Sequence, residues 1–255
     1  MIDTHCHLDD SKIIDKAFEI ECAKNVGVNK IINMACDKES IYSCLGLANS
    51  FKEVYFGAGI HPEYSSEYSL EIENIIKEVS KNPKCVAVGE IGLDYHYEGY
   101  DRESQINAFV SQIKLANRLE MPISIHSRDA FKDTVDILKE NKQYLSFGGV
   151  MHCYSGSVET AKILLDLGLY FSFAGTVTFK NAKSVKEVAE FLPVDRILTE
   201  TDSPYLSPHP FRGTVNGPRN IPFILRELAT IKNIEQQKLE EIIKENAERL
   251  FYKLK

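Results

Sequence analysis

The amino-acid sequence predicts an α/β fold, a single TIM-type (β/α)8 barrel with extra C-terminal helices. Three observations lead there. Strand-like apolar runs alternate with helical stretches about every thirty residues from one end of the chain to the other, the order that builds a parallel sheet. Eight such strands are found in 255 residues, a strand number and a length that suit one closed barrel. An open doubly wound sheet usually carries a glycine-rich phosphate loop after its first strand. Leu8-Asp9-Asp10-Ser11 stands at that position instead, so residues 1–255 read as one barrel domain.

The elements follow in order. Residues 1–8 alternate like a strand, and 11–26 read as a helix. A short apolar strand at 29–35 precedes helical sequence to about Phe51. Strand 54–61 ends in His61-Pro62, and 70–80 is helical. Strand 85–94 leads through a loop to a helix at 102–119. There Ile106, Phe109, Val110, Ile113 and Ala116 form the stripe of a helix packed on a sheet. Strand 122–127 is followed by helix 130–140, strand 149–154 by helix 158–167, and strand 170–174 by helix 182–191. The eighth strand is 196–202. A loop rich in Pro and Gly occupies 203–218, and two helices close the chain.

Composition excludes several classes. No apolar run reaches the roughly 20 residues of a membrane span, and the N-terminus lacks the basic-then-apolar pattern of a signal peptide. The expectation is a cytoplasmic monomer with no membrane contact. A net charge of -7 argues against a broad basic surface coating long nucleic acid. It is compatible with local capture of a phosphodiester. The six cysteines form no C-x-x-C pair and read as reduced, buried small hydrophobes, with Cys6 and Cys153 turned by strand alternation away from their histidine neighbours.

The chemistry starts at Asp3-Thr4-His5-Cys6-His7. Residues two apart in a strand share a face, so His5 and His7 form half of a metal site. Such a pair alone is weak evidence and needs further ligands. In a barrel of this type the site lies at the C-terminal ends of the strands. There the sequence places Glu90, His126, His152 and Asp202, so four of the seven histidines fall at matching positions. Six donors exceed one tetrahedral ion with an open position. They suit two divalent ions roughly 3.5–4 Å apart that share a carboxylate. Mixed nitrogen and oxygen donors favour Zn or Mn over Mg. Such a site loses its metal below about pH 5–6, as ordinary imidazoles protonate.

Taken together, Met1 to Asp9, Gly89-Glu90-Ile91-Gly92-Leu93-Asp94-Tyr95, Pro122 to Arg128, His152-Cys153-Tyr154-Ser155-Gly156 and Glu200-Thr201-Asp202-Ser203-Pro204-Tyr205 resemble the successive signatures of the TatD family of metal-dependent deoxyribonucleases. Arg212-Gly213-x-x-Asn216 and Asn246 to Phe251 extend the resemblance to the C-terminus. It implies a dinuclear site with His5, His7, Glu90 and Asp202 on one ion, His126 and His152 on the other, and Glu90 bridging. The implied substrate is DNA, single-stranded or at its ends. One departure is Asn216-Gly217-Pro218, where family members often carry Asn-Glu-Pro.

Roles follow by residue type. Asp202 is expected to orient, or take a proton from, the attacking water, with Glu90 beside it in the catalytic set; capping the turn before Ser203-Pro204 is the plainer role for Asp202. Arg128 is the candidate phosphate clamp, because guanidinium grips phosphate bidentately; a surface ion pair is its plain alternative. His61 is placed to touch substrate phosphate, or to sit as a rim histidine. Glu200 and Asp3 are expected to hydrogen-bond ligating imidazoles, and Asp94 and Tyr95 to shape the pocket. His96 and His209 read as surface residues. The alternative function is an amidohydrolase-type enzyme acting on a cyclic amide or an ester such as an aminoacyl ester. Glu90 stands where such relatives commonly bear a modified lysine. A non-catalytic barrel would have lost ligands, and none is missing.

Overall fold

The computed structural model describes residues 1–254. Eight parallel strands pair in chain order: β1 (Ile2–Cys6), β2 (Lys30–Met34), β3 (Val54–Ala58), β4 (Cys85–Asp94), β5 (Ile123–Arg128), β6 (Gly149–Met151), β7 (Tyr170–Phe173) and β8 (Ile197–Thr199). Between them run α1 (Lys16–Asn25), α2 (Lys38–Ser50), α3 (Leu70–Val79), α4 (Arg102–Arg118), α5 (Phe131–Glu140), α6 (Val158–Asp166) and α7 (Lys183–Phe191). After β8 come α8 (Ile221–Lys232) and α9 (Gln236–Leu250). This is the predicted barrel. Side chains complete the seam between first and last strands, with Thr4 Oγ1 donating to Thr199 O (3.0 Å) and Thr199 Oγ1 to Ile2 O (3.1 Å).

The helices lie where the apolar stripes predict, with local corrections. The helix expected over 11–26 starts only at Lys16, because the Asp15 carboxylate caps it by accepting from Phe18 N, leaving Ile14 almost fully exposed. On α4 the buried face contains Phe109, Ile113 and Ala116 as expected, whereas Ile106 and Val110 are only half-buried. Two glutamines share that buried face. Gln112 accepts from Ile60 N (2.8 Å) and donates to Ile60 O (3.1 Å). Gln105 accepts from Asp94 N (2.8 Å) and donates to Asp94 O (2.8 Å), so one amide satisfies the backbone just beyond β3 and the other the last residue of β4.

Several strands are shorter than predicted, and at β3, β6 and β8 the shortening builds the cavity. The chain leaves the ladder at Ala58, Met151 and Thr199, before His61, His152 and Asp202. Each of these residues keeps one backbone bond to a neighbouring segment: His61 N to Cys36 O (2.8 Å), His152 N to Ile125 O (3.0 Å) and Asp202 N to His5 O (2.9 Å). Free of sheet geometry, their side chains turn into the mouth. No helix among the described residues is long and apolar enough to cross a membrane.

Candidate metal centre

At the C-terminal mouth the donors converge on one carboxylate. Glu90, 3% exposed, presents Oε2 to His5 Nε2 (3.2 Å) and His7 Nε2 (3.5 Å). Its Oε1 faces His126 Nδ1 (2.8 Å), His152 Nε2 (2.7 Å) and His61 Nε2 (3.6 Å). Asp202 closes the first group, with Oδ1 3.5 Å from His7 Nε2 and 3.9 Å from His5 Nε2. Asp202 reaches there because its backbone takes a left-handed conformation (φ 53°) just after β8. Glu90 is brought against His126 by a close approach of β4 to β5. Gly92 has φ 146°, and any side chain on it would strike the His126 carbonyl.

The outer contacts fix which nitrogen faces inward. The Nδ1 of His7 donates to Met34 O (3.0 Å), leaving Nε2 with its lone pair toward Glu90 and Asp202. On the other side, His126 Nε2 binds Asp94 Oδ2 (2.9 Å), turning Nδ1 to Glu90. His152 Nδ1 faces Glu200 Oε1 at 3.4 Å, a charge contact rather than the hydrogen bond expected of Glu200. That carboxylate is itself held by Cys153 N (2.6 Å) and Ser172 Oγ. Carboxylate–histidine pairs of this kind orient imidazoles for a metal.

The electrostatics agree. Burial alone would raise the Glu90 carboxyl, but His152, His5 and His61 outweigh it and hold the group well below the usual carboxylate range. Burial likewise opposes the charge on His152, yet Glu90 and Glu200 raise it well above the ordinary imidazole value. Burial pushes His61 down to about 3. A fixed anion ringed by imidazoles is the chemistry of a divalent-cation site. Four overlapping triads have ligand atoms within 4.8 Å of one another: His5-Glu90-His152, His5-His7-Asp202, His7-Cys36-Glu90 and His61-Glu90-His126. The residues fit metal.

All six sequence-predicted donors are therefore brought together. His61, placed by the sequence either to touch substrate phosphate or to sit at the rim, is buried among them, with its ring edge-to-face on His126 at 4.5 Å. Arg128 lies on the rim of the cavity, its guanidinium over the Tyr97 ring at 5.2 Å, and forms no ion pair among the described residues. Asp3 differs from expectation. Rather than an imidazole it holds Thr201, accepting from its N (2.9 Å) and Oγ1 (2.5 Å), and burial raises its carboxyl to about 8. Asp94 shapes the site as the partner of His126. His96 pairs with Asp129 at the surface, and His209 lies in an exposed loop. Cys6 faces away, donating toward Ile32 O. Cys153, expected to point away too, lines the cavity because its backbone is left-handed (φ 43°). Cys36 lines it as well. It sits two residues past the end of β2 and is only partly buried, whereas the sequence reads it with the other cysteines as a buried small hydrophobe.

Above the donors opens a cavity of about 720 Å³. A barrel whose mouth gathers imidazoles around a buried carboxylate defines a metal-dependent hydrolase. The chain matches the family described as TatD related DNase over residues 2–252. It is 40% identical over 252 residues to YabD of Bacillus subtilis (strain 168), an uncharacterized metal-dependent hydrolase, covering 98% of each chain. To YcfH of Escherichia coli (strain K12), named in the same words, it is 35% identical, covering 99% of this chain and 96% of the relative. The crystal structure of YjjV, a TatD homolog from Escherichia coli K12, superposes with a TM-score of 0.93 at 30% identity, covering 99% and 98% of the two chains. This chain belongs to the TatD family.

Proposed function

We propose that this hydrolase cleaves phosphodiester bonds in DNA, working from the ends of single strands with two divalent ions, Zn, Mn or Mg. The observation that carries the reading is the division of donors about Glu90. One oxygen faces His5 and His7, the other His126 and His152, the arrangement of a carboxylate shared by two cations. Two divalent ions held by these residues would supply an activated water and would stabilise charge on the entering and leaving oxygens of an in-line displacement. Asp202, beside His7 and open to the cavity, orients that water and accepts its proton. Arg128, unpaired at the rim, grips the phosphate. Tyr97 and Tyr205 line the mouth with half-exposed rings, each accompanied by a cation, Arg128 or Lys12. Aromatic faces of this kind bind unpaired bases at about 1–3 kcal/mol per base.

The test is a labelled single-stranded DNA incubated with purified protein and Mn or Mg. Progressive shortening is expected, and Asp202→Asn should lower the rate about 10²–10⁴-fold while remaining folded. Wild-type cutting by the variant would mean that Asp202 neither orients the water nor takes its proton. Hydrolysis of an aminoacyl ester or cyclic amide with DNA left intact would replace the nuclease reading by the amidohydrolase one.

A further inference from the structure

Every donor in the nuclease reading is nitrogen or oxygen, yet a sulfur faces the same space. The segment after β2 brings Cys36 and Asp37 to the mouth; the Asp37 carboxylate is engaged in capping α2, accepting from Ser40 N (2.7 Å), which leaves Cys36 as the donor on offer there. The backbone there is held from both sides. Glu90 N donates to Ala35 O (3.1 Å) and His61 N to Cys36 O (2.8 Å), tying the segment to two donor-bearing strand ends. Behind it, Cys36 N (2.9 Å) and Asp37 N (2.8 Å) both donate to Ser40 Oγ in the capping box of α2. The thiol thus projects into the cavity from an anchored backbone.

Its surroundings are those of a ligand. Cys36, His7 and Glu90 each place one ligand atom within 4.8 Å of the other two. The sulfur lies 3.7 Å from His7 Nδ1, but that nitrogen already serves Met34 O at 3.0 Å, so the thiol is not needed to orient the ring. Zinc–thiolate bonds of about 2.3 Å and zinc–imidazole bonds of about 2.0–2.1 Å are reached from such separations by side-chain rotation.

We propose that Cys36 is a sulfur donor to the ion held by His7 and Glu90, so that this half of the centre selects a thiophilic divalent ion over magnesium. The inference rests on the metal-centre reading and adds to it an asymmetry: His126 and His152 make the other half a nitrogen–oxygen site. Ligation transfers the thiol proton to solvent and forms one sulfur–metal bond. Soft thiolate favours zinc, cadmium or cobalt, whereas oxygen-only sites suit magnesium.

Cobalt(II) titrated into the metal-free full-length chain reads this directly, with no reference to activity. A thiolate-to-cobalt charge-transfer band in the near ultraviolet is expected to grow with binding. Cys36→Ser should abolish it while leaving the visible d–d bands, and Cys153→Ser, a cavity thiol in none of the ligand triads, should retain it. Zinc affinity of Cys36→Ser is expected to fall at least about tenfold, with magnesium affinity unchanged. Visible cobalt bands without the charge-transfer band in the unmodified protein overturn the proposal, as does a band that survives Cys36→Ser. Absence of any cobalt binding overturns the metal centre itself, and this inference with it.

Discussion

Glu90 explains why the imidazoles around it do not behave like ordinary ones. A carboxylate buried at 3% exposure is costly unless compensated. The compensation is cationic character on His7, His126 and His152, whereas burial holds His5 and His61 towards the neutral form. Burial disfavours charge on His126, but hydrogen bonds to Asp94 and Glu90 outweigh it and raise the group above 6.5. His7 is raised well above 6.5 as well, with Cys36 and Asp202 overcoming its burial. Metal needs these nitrogens unprotonated. A raised value means the proton is held to higher pH, so competition sets in above pH 6.5 rather than at the 5–6 that ordinary imidazoles imply. Metal affinity should therefore keep rising as the pH is taken above 6.5, by up to about tenfold per unit for each proton displaced. Calorimetric titrations across that range would refute this by returning a constant affinity. His5 and His7 were legible in the sequence because a period of two places them on one face. The burial of His61 and the pairing of His126 with Asp94 were not, since both depend on how far the chain runs past its strand.

Among the elements, the late loop shows a residue-level departure absorbed by a distant helix. Asn216 uses its whole amide to hold that loop. It donates to Thr201 O (2.9 Å) and Tyr205 O (2.7 Å), on either side of Asp202, and accepts from Asn220 Nδ2 (2.8 Å). Next to it, Gly217 leaves a gap that is filled. A side chain on residue 217 would run into the carboxylate of Glu19 on α1, which is buried and ion-paired with Arg219. The acid that the Asn-Glu-Pro pattern places in the loop arrives here from α1. Gly217→Glu should therefore destabilise the protein by about 1–3 kcal/mol, crowding two carboxylates against one arginine. Adding Glu19→Ala should restore most of the loss, a strong coupling between residues far apart in sequence. Urea midpoints for the four proteins of the cycle decide it, and strictly additive effects would contradict the exchange. From the sequence Gly217 is visible as a missing acid, but its replacement is not, because α1 and the loop after β8 meet only once the barrel closes. Gln105 and Gln112 belong to the same category. On a helical wheel they are polar interruptions, and only the buried backbone at the ends of β3 and β4 reveals what they satisfy.

For the molecule as a whole, the strand count and rhythm were readable because each unit repeats a local pattern, whereas the closing seam joins residues from distant parts of the sequence, Thr4 with Thr199 through side chains and His5 with Asp202 through the backbone, which nothing local distinguishes. Closure matters energetically because the donors are spread around it. His5 and His7 follow from β1, Glu90 from β4, His126 from β5, His152 from β6 and Asp202 from β8. In the unfolded chain they are separated by up to 197 positions, from His5 to Asp202, so metal binds the native barrel in strong preference. A ligand present at about a thousand times its dissociation constant then stabilises by about 4 kcal/mol. For a chain of this size that is roughly 10 °C in melting temperature. Melting the chelated protein with and without added zinc should show an upward shift of that order. Glu90→Gln, which keeps the volume but removes the shared charge, should lose most of it. A variant whose melting temperature still rises with zinc as far as that of the unmodified protein would mean that the cation is held somewhere other than the mouth of the barrel.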